Sequence, residues 1–183
     1  MKKIELRLSG FGGQGLITAG IILAEAAILD GMNAVQSQSY GPEARGGASK
    51  SEVIISKEEI DYPKVADADL CLSMSQEACD KYADQTCADG ILILDSGYVK
   101  NPPTFSGQIY SVPITKIATE KVGRGIVANI VALGVINAIT GIVTEQSLET
   151  AVLERVPPKT RDLNLKALQL GYKAAQNLRS EGR

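Results

Sequence analysis

Histidine is absent from this sequence of 183 residues, and its absence limits the chemistry that the chain can perform alone. Histidine is the side chain most often used as a general acid or base near neutral pH, and it is a common metal ligand. Any catalysis by this chain would therefore have to rely on less usual groups.

Cysteine is scarce as well, with Cys71, Cys79 and Cys87 the only three residues of this type. Iron–sulfur and zinc sites need several thiolates at short spacings, and no two of these cysteines form a Cys-x-x-Cys pair. We therefore expect buried or incidental thiols and no metal site. The low count indicates a reducing compartment, and the N-terminus lacks the apolar segment of a secretory signal. Both features predict a cytoplasmic protein.

A strong charge of either sign is also missing, since 19 Lys and Arg residues face 21 Asp and Glu residues, for a net charge of −2. A nucleic-acid-binding protein normally needs a basic footprint, so we expect no nucleic-acid partner. Hydrophobic residues make up 44% and charged residues 22% of the chain, which is typical of a globular protein. The length suggests one domain, or one domain with a helical extension, and we assign residues 1–183 to a single domain.

One long uncharged segment, residues 125–144, could be read as a membrane span or as a buried helix. It contains Asn129, Asn137 and Thr140 together with three glycines, which makes it too polar for the bilayer. We predict a buried core or interface helix that ends near Gly141, and no membrane contact.

Short apolar runs alternate with helical patterns along the chain. Predicted strands cover residues 4–8, 33–37, 52–56, 70–74, 91–94 and 108–112. Predicted helices cover residues 16–29, a short stretch from Ser75, the uncharged segment, residues 148–156 and residues 163–178. This alternation predicts an α/β fold with a mostly parallel sheet and flanking helices in three layers. The N-terminal unit should be Rossmann-like and the C-terminus helical.

A glycine-rich turn follows the first predicted strand, with Gly10, Gly12 and Gly15 in G-x-G-x-x-G spacing. Such a turn lets a backbone approach a phosphate and directs free N–H groups at an anion, although it can also be a tight turn without a ligand. A nicotinamide site would also need an acid after the second strand, where residues 35–38 read Val-Gln-Ser-Gln. We therefore discount NAD and keep a general phosphate or nucleotide role.

A second unusual segment, residues 39–47, combines Tyr40, Pro42, Glu43 and Arg45 with three glycines. Arginine offers a fixed set of donors that matches a phosphate or carboxylate. Exposed loops of this kind carry function disproportionately, so we favour contact with a ligand or a partner. The alternative is that Glu43 and Arg45 pair with each other or with a partner subunit.

These segments together resemble the gamma subunits of pyruvate, 2-oxoglutarate and 2-oxoisovalerate:ferredoxin oxidoreductases, most closely the 2-oxoglutarate type. The matching stretches, in order along the chain, are Gly10-Phe11-Gly12-Gly13-Gln14-Gly15, Gln38-Ser39-Tyr40-Gly41-Pro42-Glu43-Ala44-Arg45-Gly46-Gly47, Met74-Ser75-Gln76-Glu77-Ala78 and Asn129-Ile130-Val131-Ala132-Leu133-Gly134. The segment Tyr-Gly-Pro-Glu-x-Arg-Gly-Gly is the most specific of them.

The resemblance implies a subunit that is inactive alone, in a complex that converts a 2-oxoacid, coenzyme A and oxidised ferredoxin to acyl-CoA, CO2 and reduced ferredoxin. Thiamine diphosphate, Mg2+ and [4Fe–4S] clusters would lie in partner subunits, namely alpha, beta and a ferredoxin-like delta. This chain would carry no catalytic residue and would share in coenzyme A binding and complex assembly. The positions implied in coenzyme A binding or in the interface are Gly10, Phe11, Gly12, Gly13, Gln14, Gly15, Tyr40, Gly41, Pro42, Glu43, Arg45, Gly46 and Gly47.

Two other functions remain open from the residues alone. One is an independent nucleotide-dependent oxidoreductase, which the missing ribose acid and histidine disfavour. The other is a purely structural assembly subunit, which the glycine turn and Arg45 disfavour. We also expect the nearly uncharged helices, residues 16–29 and 126–139, to bury part of their surface only within a complex.

Overall fold

A computed structural model of the chain describes residues 3–38 and 48–181, with side chains up to Leu178. The strands are β1 (Ile4–Phe11), β2 (Asn33–Gln38), β3 (Ala48–Ser56), β4 (Ala68–Ser73), β5 (Thr86–Asp95) and β6 (Gln108–Val112). The α-helices are α1 (Leu16–Leu29), α2 (Gln76–Tyr82), α3 (Ile114–Lys116), α4 (Ala128–Thr140), α5 (Glu145–Arg155) and α6 (Arg161–Glu181). A π-helical segment, Ile117–Val122, continues α3, and short 3-10 turns precede β5, α4 and α6.

The six strands form one mixed sheet in the order β2-β3-β1-β4-β5-β6. All run in one direction except β3, which pairs antiparallel with both β1 and β2. The predicted mostly parallel α/β fold is confirmed. Within the Rossmann-like N-terminal unit, however, β1 and β2 are not neighbours, because β3 lies between them. This insertion brings the strand that follows residues 39–47 directly beside β1.

Helices cover both faces of the sheet, which confirms the three-layer prediction. Side chains alternate between the two faces along β4, and Leu70 and Leu72 lie on the face covered by α1, α4, α5 and α6. Cys71 points to the opposite face and packs against Cys79 and Tyr82 of α2. The fold therefore has a large core under four helices and a smaller core under α2.

The uncharged segment forms a buried helix, α4, that Gly141 ends in the left-handed conformation, as predicted. Its residues Ile130 to Ile136 are buried within the chain itself. The expectation that residues 126–139 bury part of their surface only in a complex is therefore wrong for α4, because α6, α1 and residues 114–122 already pack against it. Ile126, just before the helix, remains 81% exposed. None of the described helices is long and apolar enough to cross a membrane.

The helices α4 and α6 cross at two glycines, and this crossing fixes the C-terminal helix on the core. A Cβ atom on Gly134 would lie 2.3 Å from the carbonyl oxygen of Leu168. A Cβ atom on Gly171 would lie 2.2 Å from the carbonyl oxygen of Val131. Because the obstacles are backbone atoms, the two helices approach this closely only when both positions lack a side chain.

Asp30, at the end of α1, caps the start of α5 across the fold. It accepts hydrogen bonds from the backbone N–H and the hydroxyl of Thr144 and from the hydroxyl of Ser147. Slight burial raises the pKa of Asp30, but the hydrogen bonds from Ser147 and Thr144 outweigh it, so the pKa lies below its ordinary value of 3.8. The charged form is therefore the one that the folded state favours.

The Asp30 cap predicts a pH-dependent contribution to stability. Since the folded-state pKa is depressed, the contribution is complete above the unfolded-state value and is lost as the pH falls through the folded-state value. We expect Asp30→Asn to lower the free energy of unfolding by about 1 kcal/mol or less at pH 7. Urea denaturation at pH 7 and at pH 3 should show this difference shrinking in acid. An undiminished difference at pH 3 would contradict the assignment.

Candidate functional site

The carboxyl ends of the five parallel strands meet at one edge of the sheet, and the glycine turn lies at this edge. The helix after β1, α1, covers one face of the sheet, whereas the helix after the neighbouring β4, α2, covers the other. Adjacent strands whose connections leave on opposite faces open a crevice outside their carboxyl ends, where α/β proteins commonly bind ligands. The structure thus places the glycine turn at such a crevice, between β1 and β4.

The side chain of Gln14 bridges this crevice. Its amide oxygen accepts the Phe11 N–H at 2.7 Å, and its amide nitrogen donates to the carbonyl oxygen of Met74 at 3.1 Å. A Cβ atom on Gly10 would lie 2.2 Å from the Gln14 amide oxygen, so the Gln14 side chain can hold this position only beside a glycine. Gln14 therefore ties the turn after β1 to the turn after β4.

Gly15, like Gly10, has a side chain of the same chain packed closely against its backbone. It caps α1 in the left-handed conformation, with φ of 73°, and its carbonyl oxygen accepts a hydrogen bond from the Asn129 amide at 3.1 Å. A Cβ atom on Gly15 would lie 2.6 Å from the Asn129 amide nitrogen. Gly15 and Asn129 are 114 residues apart, so sequence spacing gave no sign of this pairing.

The part of the turn that is open to a ligand is its outer end. Gly12 and Gly13 are exposed, and Gly13 has φ of 92° with no atom within 4 Å of the place where a Cβ would lie. No side chain caps the first N–H groups of α1, and its first turn contains no acidic residue. Backbone donors at this end of the turn can therefore face an anion.

The segment with Tyr40, Gly41, Pro42, Glu43, Arg45, Gly46 and Gly47 lies outside the described residues, but the strands on either side of it are placed. Ala48, the first residue of β3, pairs with Phe11 in the register of the sheet, and the Ser49 hydroxyl donates to the carbonyl oxygen of Gly10. Gln38, the last residue of β2, pairs with Ser51. Both ends of this segment therefore start at the edge that carries the glycine turn.

A cavity of about 350 Å3 continues the crevice towards β5 and β6. Its lining includes Gly13, Gln14, Thr115 and Thr119. Thr115 is held by the buried carboxylate of Asp95, which accepts both its N–H and its hydroxyl hydrogen bond. This polar wall was not singled out from the sequence, because Thr115 and Thr119 follow no motif and reach the turn only through the fold.

Large exposed apolar side chains surround the mouth of this cavity. Tyr98 and Ile126 line it and are 46% and 81% exposed. Phe11 is 38% exposed and lies edge-on to Tyr98, with 6.2 Å between the ring centroids. Clustered exposed apolar side chains around a cleft are typical of surfaces that bind another molecule. We call these three residues the apolar rim.

Comparison with known proteins places this architecture in a family. The sequence of residues 5–174 matches the model for pyruvate ferredoxin/flavodoxin oxidoreductases. The chain belongs to this family. It is 50% identical to 2-oxoglutarate synthase subunit KorC of Methanocaldococcus jannaschii over 95% of each chain. The resemblance to gamma subunits of 2-oxoacid:ferredoxin oxidoreductases is thus confirmed.

Solved structures agree with the family. The gamma subunit of a keto/oxoacid ferredoxin oxidoreductase from Geobacter sulfurreducens is 52% identical, with a TM-score of 0.87 over 95% of this chain and 99% of that one. A 2-oxoglutarate:ferredoxin oxidoreductase from Magnetococcus marinus, solved with 2-oxoglutarate, coenzyme A and succinyl-CoA bound, also has a TM-score of 0.87. It is 22% identical and covers 97% of this chain and 32% of that one, so it supports the fold alone.

The cysteines of this family member lie away from the crevice. Cys71 of β4 and Cys79 of α2 are buried between the sheet and this helix, and burial raises the pKa of the Cys79 thiol to about 11. A thiol that stays protonated at neutral pH is a poor metal ligand or nucleophile. Within residues 3–38 and 48–178 no group of three His, Cys, Asp or Glu side chains could hold a metal ion.

Proposed function

We propose that this chain is the gamma subunit of a cytoplasmic 2-oxoacid:ferredoxin oxidoreductase and that it shares in binding coenzyme A. The complex would convert a 2-oxoacid, coenzyme A and oxidised ferredoxin to acyl-CoA, CO2 and reduced ferredoxin. The 50% identity to a 2-oxoglutarate synthase subunit over 95% of both chains carries this proposal. It also favours 2-oxoglutarate as the 2-oxoacid.

The crevice supports coenzyme A as the shared ligand. Coenzyme A is anionic at its nucleotide end, and the open end of the turn offers backbone donors at Gly12 and Gly13 beside the uncapped start of α1. Gln38 and Ala48, which flank residues 39–47, lie at the same edge, and we propose Arg45 as a further donor to the same anion. Gln14, whose amide is engaged within the chain, would order the turn and not contact the phosphates directly.

The remaining reactive groups are assigned to partner subunits. Thiamine diphosphate, Mg2+ and [4Fe–4S] clusters would be held by alpha, beta and a ferredoxin-like delta subunit. We assign the apolar rim to the contact with one of these subunits, since Phe11, Tyr98 and Ile126 lie beside the ligand crevice and are exposed in the single chain. A site completed by a partner should bind coenzyme A only weakly in the isolated subunit.

A reconstitution assay separates this function from its rivals. Dye reduction driven by 2-oxoglutarate and coenzyme A should need this chain together with its partner subunits. Dye reduction by the lone chain with NADH or NADPH would instead support an independent oxidoreductase. Full activity of the partner subunits without this chain would rule out the proposed role.

The segment that carries Arg45 provides a direct test of coenzyme A binding. Hydrogen bonds from arginine to a phosphate contribute about 1.5–3 kcal/mol, so Arg45→Ala should raise the apparent KM for coenzyme A by roughly 10- to 100-fold, with a smaller change in kcat. Steady-state kinetics of the assembled enzyme measure both constants. Lys57→Ala, which removes an exposed cation after β3 at the opposite edge, is the matched control and should leave KM unchanged. Equal KM values for Arg45→Ala and the parent enzyme would remove Arg45 from the site.

A further inference from the structure

A second cavity, of about 640 Å3, lies outside the glycine-turn crevice. It runs between α6 and residues 112–121, on the far side of the segment that carries Thr115 and Thr119. Its lining combines an apolar floor with three lysines, Lys116, Lys121 and Lys173. We call it the lysine groove.

The floor of the lysine groove is an apolar stripe that the chain leaves half covered. Leu170, Ala174 and Leu178 recur every four residues on one face of α6, and each is only partly buried. Ile117 of the π-helical segment forms the opposite side. The eight steps from Leu170 to Leu178 span about 12 Å, which matches two turns of a docked helix.

The charge of the groove differs from that of the whole chain. Three lysines and a single acidic residue, Glu120, line the groove, although the chain carries a net charge of −2. Among the described residues none of the three lysines has an ion-pair partner. Complementary charge is the usual way in which such a rim selects and orients its partner.

Two alternative occupants lack this complementarity. A second copy of the chain, docked by the same face, would place lysines against lysines. Residues 179–183 of this chain contain two arginines and one glutamate, which is not an acidic complement. The occupant that fits both the apolar stripe and the cationic rim is a helix with an apolar face flanked by Asp or Glu.

We propose that the lysine groove docks an acidic amphipathic helix of a partner subunit, which rests on the proposed function as part of a complex. The groove and the glycine-turn crevice share one wall, residues 114–122. Thr115 and Thr119 face the crevice, whereas Lys116, Glu120 and Lys121 face the groove. A helix docked in the groove would therefore hold the wall of the ligand cavity in place.

Charge reversal tests the proposal in the full chain. The triple variant Lys116→Glu, Lys121→Glu, Lys173→Glu should weaken the Kd for the purified partner subunits by roughly 10- to 100-fold at low salt, and by less at high salt. The control variant Lys57→Glu, Lys64→Glu, Lys159→Glu changes three exposed lysines outside the groove and should stay within about threefold. Circular dichroism and the Tm establish that both variants fold.

Zero-length carbodiimide cross-linking of the unmodified complex provides an independent test. It should join at least one groove lysine to Asp or Glu residues within one short helix of a partner subunit. Cross-links from the groove only to a second copy of this chain, or an unchanged Kd for the triple variant, would overturn the proposal. If the unmodified chain does not bind the partner subunits at all, the proposed function fails instead, so the two failures are distinguishable.

Discussion

Arg7→Met should lower the free energy of unfolding by about 3 kcal/mol, because it removes one member of a buried ion pair and leaves Glu52 with Lys50 as its remaining cation. The Arg7 side chain is 1% exposed, and its Nε atom donates to Glu52 at 2.9 Å. Its Nη atoms donate to the backbone carbonyl oxygens of residues 65, 66 and 85. Arg7 thus joins β1, β3 and the connections before β4 and β5. Urea denaturation followed by circular dichroism measures the loss.

Arg155→Met is the matched control, since Arg155 pairs with Glu25 on the surface with both side chains more than one-third exposed. Surface pairs contribute little, so the change should stay within about 1 kcal/mol. Arg7→Lys keeps the charge but lacks the planar set of donors, and should fall between the two. A loss for Arg7→Met no greater than that for Arg155→Met would show that the buried network does not stabilise the fold as described.

Gly134→Ala should destabilise the fold by about 3 kcal/mol, although alanine favours helix more than glycine does. Helix propensity alone would add about 1 kcal/mol of stability. The new methyl group would instead lie 2.3 Å from the carbonyl oxygen of Leu168, a backbone atom that cannot move without separating α4 from α6. Overpacking in a close-packed core costs about 1–3 kcal/mol, and the cost is highest where no side chain can yield. Thermal and urea denaturation provide the measurement.

Gly171→Ala should behave similarly, because its methyl group would meet the carbonyl oxygen of Val131 at the same crossing. The double variant should cost less than the sum of the two, since one separation of the helices relieves both clashes. Gln176→Ala, on the exposed side of α6, is the control and should change stability by less than about 0.5 kcal/mol. Stabilisation by Gly134→Ala would mean that the helices lie further apart than described.

Much of the fold is predictable from the sequence because its signals are local. Runs of apolar residues predicted a helix over residues 16–29, which the structure has as α1, and a strand over residues 91–94, which lies within the longer β5. The position of β3 between β1 and β2 is not predictable in this way, since strand order depends on contacts between distant residues. The burial of Arg7 could not be predicted from the sequence for the same reason. Alternation in β1 assigns Arg7 to one face of the sheet without showing that α2 covers that face.

In the candidate site, too, local features could be predicted from the sequence, whereas contacts between distant residues could not. The glycine turn and residues 39–47 were recognisable from composition, and the register of β3 with β1 brings their ends together. The contacts that shape the turn were not recognisable, because the Asn129 amide reaches Gly15 only after α4 packs beside α1. Gly10 and Gly15 follow a ligand-binding spacing, yet both have a role without a ligand: the Gln14 side chain lies where a Cβ of residue 10 would be, and the φ of 73° favours glycine at position 15.

Because β3 lies antiparallel between β1 and β2, the connection between β2 and β3 can tolerate changes in its length. Residues 39–47 connect two strands that are hydrogen-bonded to each other, so their ends are held together by the ladder and not by the connection itself. The entropy of closing such a loop grows only slowly, by about 0.6 kcal/mol for each doubling of its length. Insertions or deletions between Gln38 and Ala48 would therefore cost the fold little, because the ladder between β2 and β3 would still hold these two residues at the same edge of the sheet.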